Sequence, residues 1–214
     1  MTEPTASCPN CGATIRFDWS HAVQTSCPFC SSVIVRGDVD LKTVGTVGDL
    51  PATSSPLQVG TTGVFAHHLF SIVGRVVYEY ERGSWNHWHV RMADGMSGWI
   101  SDARGEYTFS REVTGRVAPS TDQLHIGGNF VWDRRIYKLM AVTSVRYRAA
   151  EGELPFTTWD RHQGTLADLD ATDGHIATVD YRDHPPALYL GEWTRFDDLH
   201  LERLREIDGW PLPD

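Results

Sequence analysis

The chain has 214 residues, 41% of them hydrophobic and 22% charged, with a net charge of −9, an ordinary balance for a globular protein with core enough to fold unaided. No run of about 18 apolar residues offers a membrane span, and Met1 to Ser7 lack the basic and apolar regions of a signal peptide. Residues 151–214 carry five Lys/Arg against fifteen Asp/Glu, which argues against wrapping nucleic acid and for cationic partners.

The expected location is therefore the cytoplasm, where four cysteines read as metal ligands rather than disulfides. Cys8-Pro-Asn-Cys11-Gly and Cys27-Pro-Phe-Cys30-Ser are separated by fifteen residues. Two residues between paired cysteines let each pair wrap a tight knuckle, and two knuckles supply the four thiolates of a tetrahedron. Short alternating runs, Thr14–Phe17 and Ser32–Val35, follow the knuckles, so residues 1–40 read as a zinc ribbon. Its metal is expected to be one structural Zn2+ held by Cys8, Cys11, Cys27 and Cys30, because four protein ligands leave no open position for water. His21 lies in the loop between the pairs and is expected at the surface.

Residues 41–56, rich in Gly, Pro, Ser and Thr, read as a linker. Beyond Leu57 the text alternates. Ile72 to Ile100 holds two apolar runs, a turn at Arg82-Gly83-Ser84 and another at Asp94-Gly95, the pattern of a three-stranded meander. Period-two alternation places Trp85, His87, His89 and Arg91 on one face of the middle strand, and Asn86, Trp88, Val90 and Met92 on the other. Trp88 and Val90 read as core. The Trp85/His87/His89 face reads as the accessible surface.

Sliding the chain by 67 residues aligns Leu57–Tyr80 with Leu124–Tyr147 without gaps. Leu57 meets Leu124, Gly60 meets Gly127, Val64 meets Val131 and Tyr80 meets Tyr147. These matches fall on positions that set a fold, so residues 57–123 and 124–214 are expected to be two β repeats. After a polar region from Arg161 to Gly174, His175–Tyr181 and Ala187–Trp193 read as strands. The tail from Asp197 to Ile207, with Leu201, Leu204 and Ile207 at intervals of three, reads as a short helix. The expected fold is mainly β: a zinc ribbon, then a duplicated antiparallel β-meander body, barrel- or sandwich-like, with a short C-terminal helix.

The motifs Leu57-x-Val-Gly60, Tyr78-x-Tyr-x-x-Gly83-x-Trp85-Asn-x-Trp88, Asp94-Gly95 with Trp99-Ile100, Glu151-Gly-Glu-Leu-Pro155, Val179-Asp-Tyr181 and Tyr189-x-Gly-Glu192 resemble a bacterial family known as domain of unknown function 4178. The resemblance runs from Leu57 to about Leu201. It implies an N-terminal zinc ribbon and a setting near membrane proteins and polyamine-synthase-like enzymes, and it implies no activity. The family favours an acidic residue where this chain has His87, so no carboxylate role carries over to that position.

The chain has no HExxH, dinucleotide fingerprint or Walker loop. Asp168-x-Asp170-x-x-Asp173-Gly174 misses the spacing and the closing Glu of a calcium loop. His87 and His89, with His67-His68, form a weak candidate for a second metal. Glu151 with Glu153, and Glu192 with Asp183, are the candidate carboxylate pairs for an unrecognised enzyme. The expected function is non-enzymatic: a binding or adaptor module that meets a protein partner, such as membrane-associated machinery, through Trp85, His87 and His89. The alternative is a small-cation sensor, for polyamines, built from aromatic residues and the acidic last third.

Overall fold

The computed structural model describes residues 5–36, 41–46, 55–157 and 163–207. The N-terminal part is two small antiparallel sheets. In one, β1 (Thr5–Ser7) pairs with β2 (Thr14–Arg16); in the other, β3 (Gln24–Ser26), β4 (Ser32–Arg36) and β5 (Leu41–Thr46) lie side by side. Leu41–Thr46, expected within a linker, is thus a third strand of this sheet. Leu41 packs against the cluster around Ile34 and Phe17, and that contact together with the ladder to β4 outweighs a loop-like composition. Residues 47–54 of the expected linker lie outside the described residues.

The body is one sheet of ten strands: β6 (Thr62–Phe65), β7 (His68–Tyr80), β8 (Gly83–Met92), β9 (Ser97–Ala103), β10 (Glu106–Glu112), β11 (Asn129–Trp132), β12 (Arg135–Gly152), β13 (Gln163–Asp170), β14 (His175–Asp180) and β15 (Ala187–Thr194). β7 to β10 form one meander and β12 to β15 a second. Two further pairings, β10 with β15 and β12 with β7, join their edges. Among the described residues, eight strands therefore close into an antiparallel barrel, which leaves no exposed sheet edge around the ring. β6 and β11 are left over as outer hairpin arms on β7 and β12.

The two halves repeat at the 67-residue interval down to single hydrogen bonds. Gly60 N donates to Ile72 O at 2.8 Å, and Gly127 N donates to Leu139 O at 2.8 Å. The hairpin turns Ala66-His67 and Asp133-Arg134 are both left-handed pairs. That conformation matches the twist of two-residue hairpins. Glu79 opposes Arg146, its own counterpart 67 residues on, across the β7–β12 seam. An ion pair of 2.6 Å joins them, on the local two-fold that relates the halves.

A β-bulge follows Ile72 in β7 and the corresponding Leu139 in β12. An extra residue reverses which face of a strand points inward. Before the bulge Phe70 and Ile72 join an outer cluster with Trp88, Val90, Ile100 and Phe109. Beyond it Val76 and Tyr78 point into the barrel with Trp99, Val145 and Leu166. The second half does the same, with Tyr137 and Leu139 in an outer cluster beside Ala167, Leu169 and Val179. At the β7–β12 seam Gly74 faces Gly152. A Cβ at Gly74 would strike the Glu153 carbonyl and one at Gly152 the Val73 carbonyl, so glycine is what lets the backbones approach there.

The expected C-terminal helix is absent from the described residues. Asp197–Leu199 forms a single 3-10 turn, and His200 and Arg203 then take left-handed backbone, φ 43° and 59°, which no α-helix contains. Glu202 instead exchanges backbone hydrogen bonds with Thr62. Leu201 and Leu204 cover the first outer cluster as part of an extended strap. Their spacing of three served burial under an irregular segment rather than a helical face.

Candidate functional sites: a four-cysteine centre and the barrel lumen

The two knuckles are built alike. Gly12 N donates to Cys8 O and Ser31 N to Cys27 O, at 2.9 and 3.0 Å, and Gly12 and Ser31 both sit in left-handed backbone. The Sγ atoms of Cys8, Cys11, Cys27 and Cys30 lie within 4.8 Å of one another. The Cys8–Cys30 and Cys11–Cys27 separations are each 3.7 Å. Four sulfurs about 2.3 Å from a tetrahedral ion would stand about 3.8 Å apart, which the two 3.7 Å separations match, and all four sulfurs stay within 4.8 Å of one another. Hydrogen bonds from Ser32 hold the Cys30 thiol down to about 6, while at Cys11, against a backbone hydrogen bond at Ala13, the neighbouring cysteines push the thiol up to about 12. Among the described residues this is the one group of three or more His, Cys, Asp or Glu poised for a metal.

The cysteine domain docks on one end of the barrel. The buried Glu153 carboxylate accepts the backbone N–H of Asp18 at 2.6 Å and of Trp19 at 2.7 Å. Leu154 bridges to Gln24 through backbone hydrogen bonds, and Arg91 donates to the Asp18 carbonyl. The Trp19 ring meets His89 edge-on with centroids 4.8 Å apart. The four-cysteine domain thus stoppers the barrel at its His89 end.

The lumen opens at the other end. A cavity of about 360 Å3 is lined there by Tyr80, Trp85, His87, Arg104, Asp168, Asp170 and Trp193, with aliphatic side chains and small Ser, Thr and Ala residues between. Tyr78 and Tyr80 both touch the Trp85 ring, with centroids 5.2 and 5.6 Å away. Trp193, 47% exposed, stands at the mouth. Asp168 accepts the Thr178 hydroxyl at 2.9 Å. Burial raises the carboxyls of both Asp168 and Asp170 above their ordinary range, because the anion loses water it cannot replace.

Below this cavity lies a second void of about 30 Å3, and His87, Ser101, Thr108, Leu166, Ile176 and Thr178 line both. Its floor is the buried pair Arg182–Asp180. The guanidinium lies between the Tyr78 and Tyr147 rings, 4.8 and 4.6 Å from their centroids, and donates to the Tyr78 hydroxyl at 2.7 Å.

The face expected to be accessible is this lumen. His89 is fully buried, its Nδ1 2.8 Å from the Glu153 carbonyl and its Nε2 2.7 Å from the Ser97 hydroxyl. His87 and Trp85 are half-buried along the inner wall. Trp88 is buried on the opposite side, as read from the alternation, so the register was right and the exposure was not. Closing a sheet into a barrel buries both faces, which alternation within one meander cannot reveal. His67 and His68 sit exposed at the β6–β7 hairpin. Neither carboxylate pair forms a cleft: Glu151 pairs with Arg75 at 3.2 Å, Glu153 holds the four-cysteine domain, and Glu192 lies beside His175. Asp168, Asp170 and Arg182 were missed as site residues. The signal available was the inverted alternation Leu166-Ala-Asp-Leu-Asp170, which places carboxylates on one strand face.

Burial lowers His87 to about 3 and His89 to about 4, so both rings stay neutral when folded. The unfolded chain would protonate them near 6.5, so folding stability falls as pH drops from about 6.5 through those lowered values. Burial raises Glu153 to about 7, against the pull of its two amides. Its contribution has the opposite sign: it is full below about 4.5 and is lost as pH rises through about 7. Replacing Glu153 by Gln removes this opposing slope. Denaturation curves of the variant and the parent are expected to diverge by about 1.4 kcal/mol per pH unit between pH 4.5 and 7, and parallel curves would show that Glu153 does not titrate in that window.

The geometry defines a closed antiparallel barrel with a cavity, stoppered by a four-cysteine knuckle domain. Residues 58–196 match the model of a family described as domain of unknown function (DUF4178), so the chain belongs to that family. No curated protein and no solved structure matches it. Among the described residues no helix is long and apolar enough to cross a membrane.

Proposed function

We propose that the protein is a non-enzymatic binding barrel whose lumen takes a small organic cation of the polyamine kind, with one structural Zn2+ in the ribbon. One observation carries this reading. A cavity of about 360 Å3 places aromatic rings around two carboxylates, Asp168 and Asp170, within the size range of ligand sites. Half-buried carboxylates raised by desolvation are stabilised by an incoming ammonium, and tryptophan and tyrosine faces attract cations further. Enclosure of the Trp85/His87/His89 face counts against a protein partner reaching it.

The test is a thermal-shift titration of the metal-loaded protein with spermidine and 1,4-diaminobutane. Ligand at a hundredfold excess over its Kd is expected to stabilise the fold by about 2.7 kcal/mol, read as a rising Tm. A flat response to millimolar concentrations of both would remove the proposal.

A further inference from the structure

A purely cationic ligand leaves the inner end of the lumen unused. The Arg182 side chain is 4% exposed, and its Nη1 has no hydrogen-bond partner among the described residues. Nη2 is committed to Asp180 and Tyr78, and Nε to Asp180. A buried guanidinium nitrogen with free protons forgoes one of the stronger hydrogen bonds a protein can make. The void of about 30 Å3 that Arg182 lines adjoins the aspartate-bearing cavity through shared walls. A void of that size holds one or two waters or a carboxylate head.

The spacing between the two polar ends follows from the ladder. Asp168 is paired with Thr178 across β13–β14, and Asp180, which holds Arg182, is two residues farther along the same inner face. Two residues of extended strand span roughly 7 Å. Asp170, paired with Ile176, lies one such step toward the mouth.

Resting on the reading of the lumen as a cation site, we infer that its preferred ligand is a linear ω-amino carboxylate, bound with its ammonium at Asp168 and its carboxylate on Arg182 Nη1. Such a ligand must carry several methylenes to reach from Asp168 past that step to Arg182, and 6-aminohexanoate, with five, is the probe chosen. The ammonium offsets Asp168, while at the neutral Arg182–Asp180 pair the carboxylate only accepts the Nη1 protons left without a partner, a combination that neither a diamine nor a fatty acid offers. Binding is non-covalent, and the aromatic wall from Trp85 to Trp99 packs along the methylenes.

The test compares calorimetric titrations of the zinc-loaded protein with 6-aminohexanoate, hexylamine and hexanoate. A charge-assisted hydrogen bond made in a desolvated site predicts that 6-aminohexanoate binds at least about tenfold tighter than hexylamine. Arg182→Met alone would strand Asp180 as an unpaired buried charge, so the variant to use is R182M with D180N, which removes both charges together. It is expected to abolish the preference for 6-aminohexanoate over hexylamine. Equal affinity of the two amines for the parent protein, as when water already satisfies Arg182, overturns the carboxylate subsite and leaves the cation barrel standing. A preference that survives in the double variant also overturns it. If no amine binds, the cation reading falls as well.

Discussion

Replacing Cys8 by Ser, or stripping the metal with a strong chelator, is expected to release the knuckle domain from the barrel. The clustered Cys8 and Cys27 are themselves part of the small core with Ile15, Phe17, Trp19 and Ile34, too little apolar surface to hold two short sheets alone. Metal binding to such peptides supplies on the order of 10 kcal/mol or more, and that is folding free energy. Its loss removes the Trp19 ring from His89 and the Asp18 and Trp19 amides from Glu153. Water then reaches a carboxylate and an imidazole that the fold had buried. The measurement is metal content together with urea denaturation. The parent protein should carry about one equivalent of zinc, and the Cys8→Ser protein should lose both the metal and several kcal/mol of stability. A chelated protein with an unchanged denaturation curve would contradict a structural metal in the four-cysteine domain.

The second large effect concerns Asp168. Asn at this position keeps the shape and still accepts the Thr178 hydroxyl, but it removes a charge that burial disfavours. Because the folded state raises this carboxyl, the ionised form weakens the fold above its ordinary range. Asp168→Asn is therefore expected to raise Tm at neutral pH while weakening spermidine binding by about tenfold or more. Opposite signs distinguish a ligand-binding carboxylate from a merely structural one, whose loss lowers both. Asp173→Asn serves as the control, since Asp173 pairs with Arg135 at 2.7 Å on the outside and lines neither lumen cavity. If that variant weakens binding equally, the cation is held by the acidic surface and not by the lumen.

What the sequence disclosed and withheld has a physical pattern. Local chemistry was legible. The CPxC knuckles carry their own turn geometry, and the 67-residue repeat survives because Gly60 and Gly127 close the same hydrogen-bonded turn. Long-range pairing was not. Nothing in Glu106–Glu112 indicates that it lies against Ala187–Thr194, yet this seam and the β7–β12 seam convert two meanders into a barrel. Closure moved Trp85, His87 and His89 from an expected outer surface to an inner wall. It also hid β13, because Asp168 and Asp170 made a strand read as part of a polar region when its carboxylates line the inner cavity. The expected helix failed for the same reason, since Leu201 and Leu204 answer to the outer cluster they cover.

The central claim is that the lumen, not the outer face or the acidic surface, is where the ligand sits. A crystal structure of the zinc-loaded protein grown with saturating spermidine tests it most directly. The account predicts one spermidine inside the barrel, an ammonium against Asp168 or Asp170 and its chain along Trp85. A barrel whose lumen holds only water while spermidine lies on the outside would contradict it.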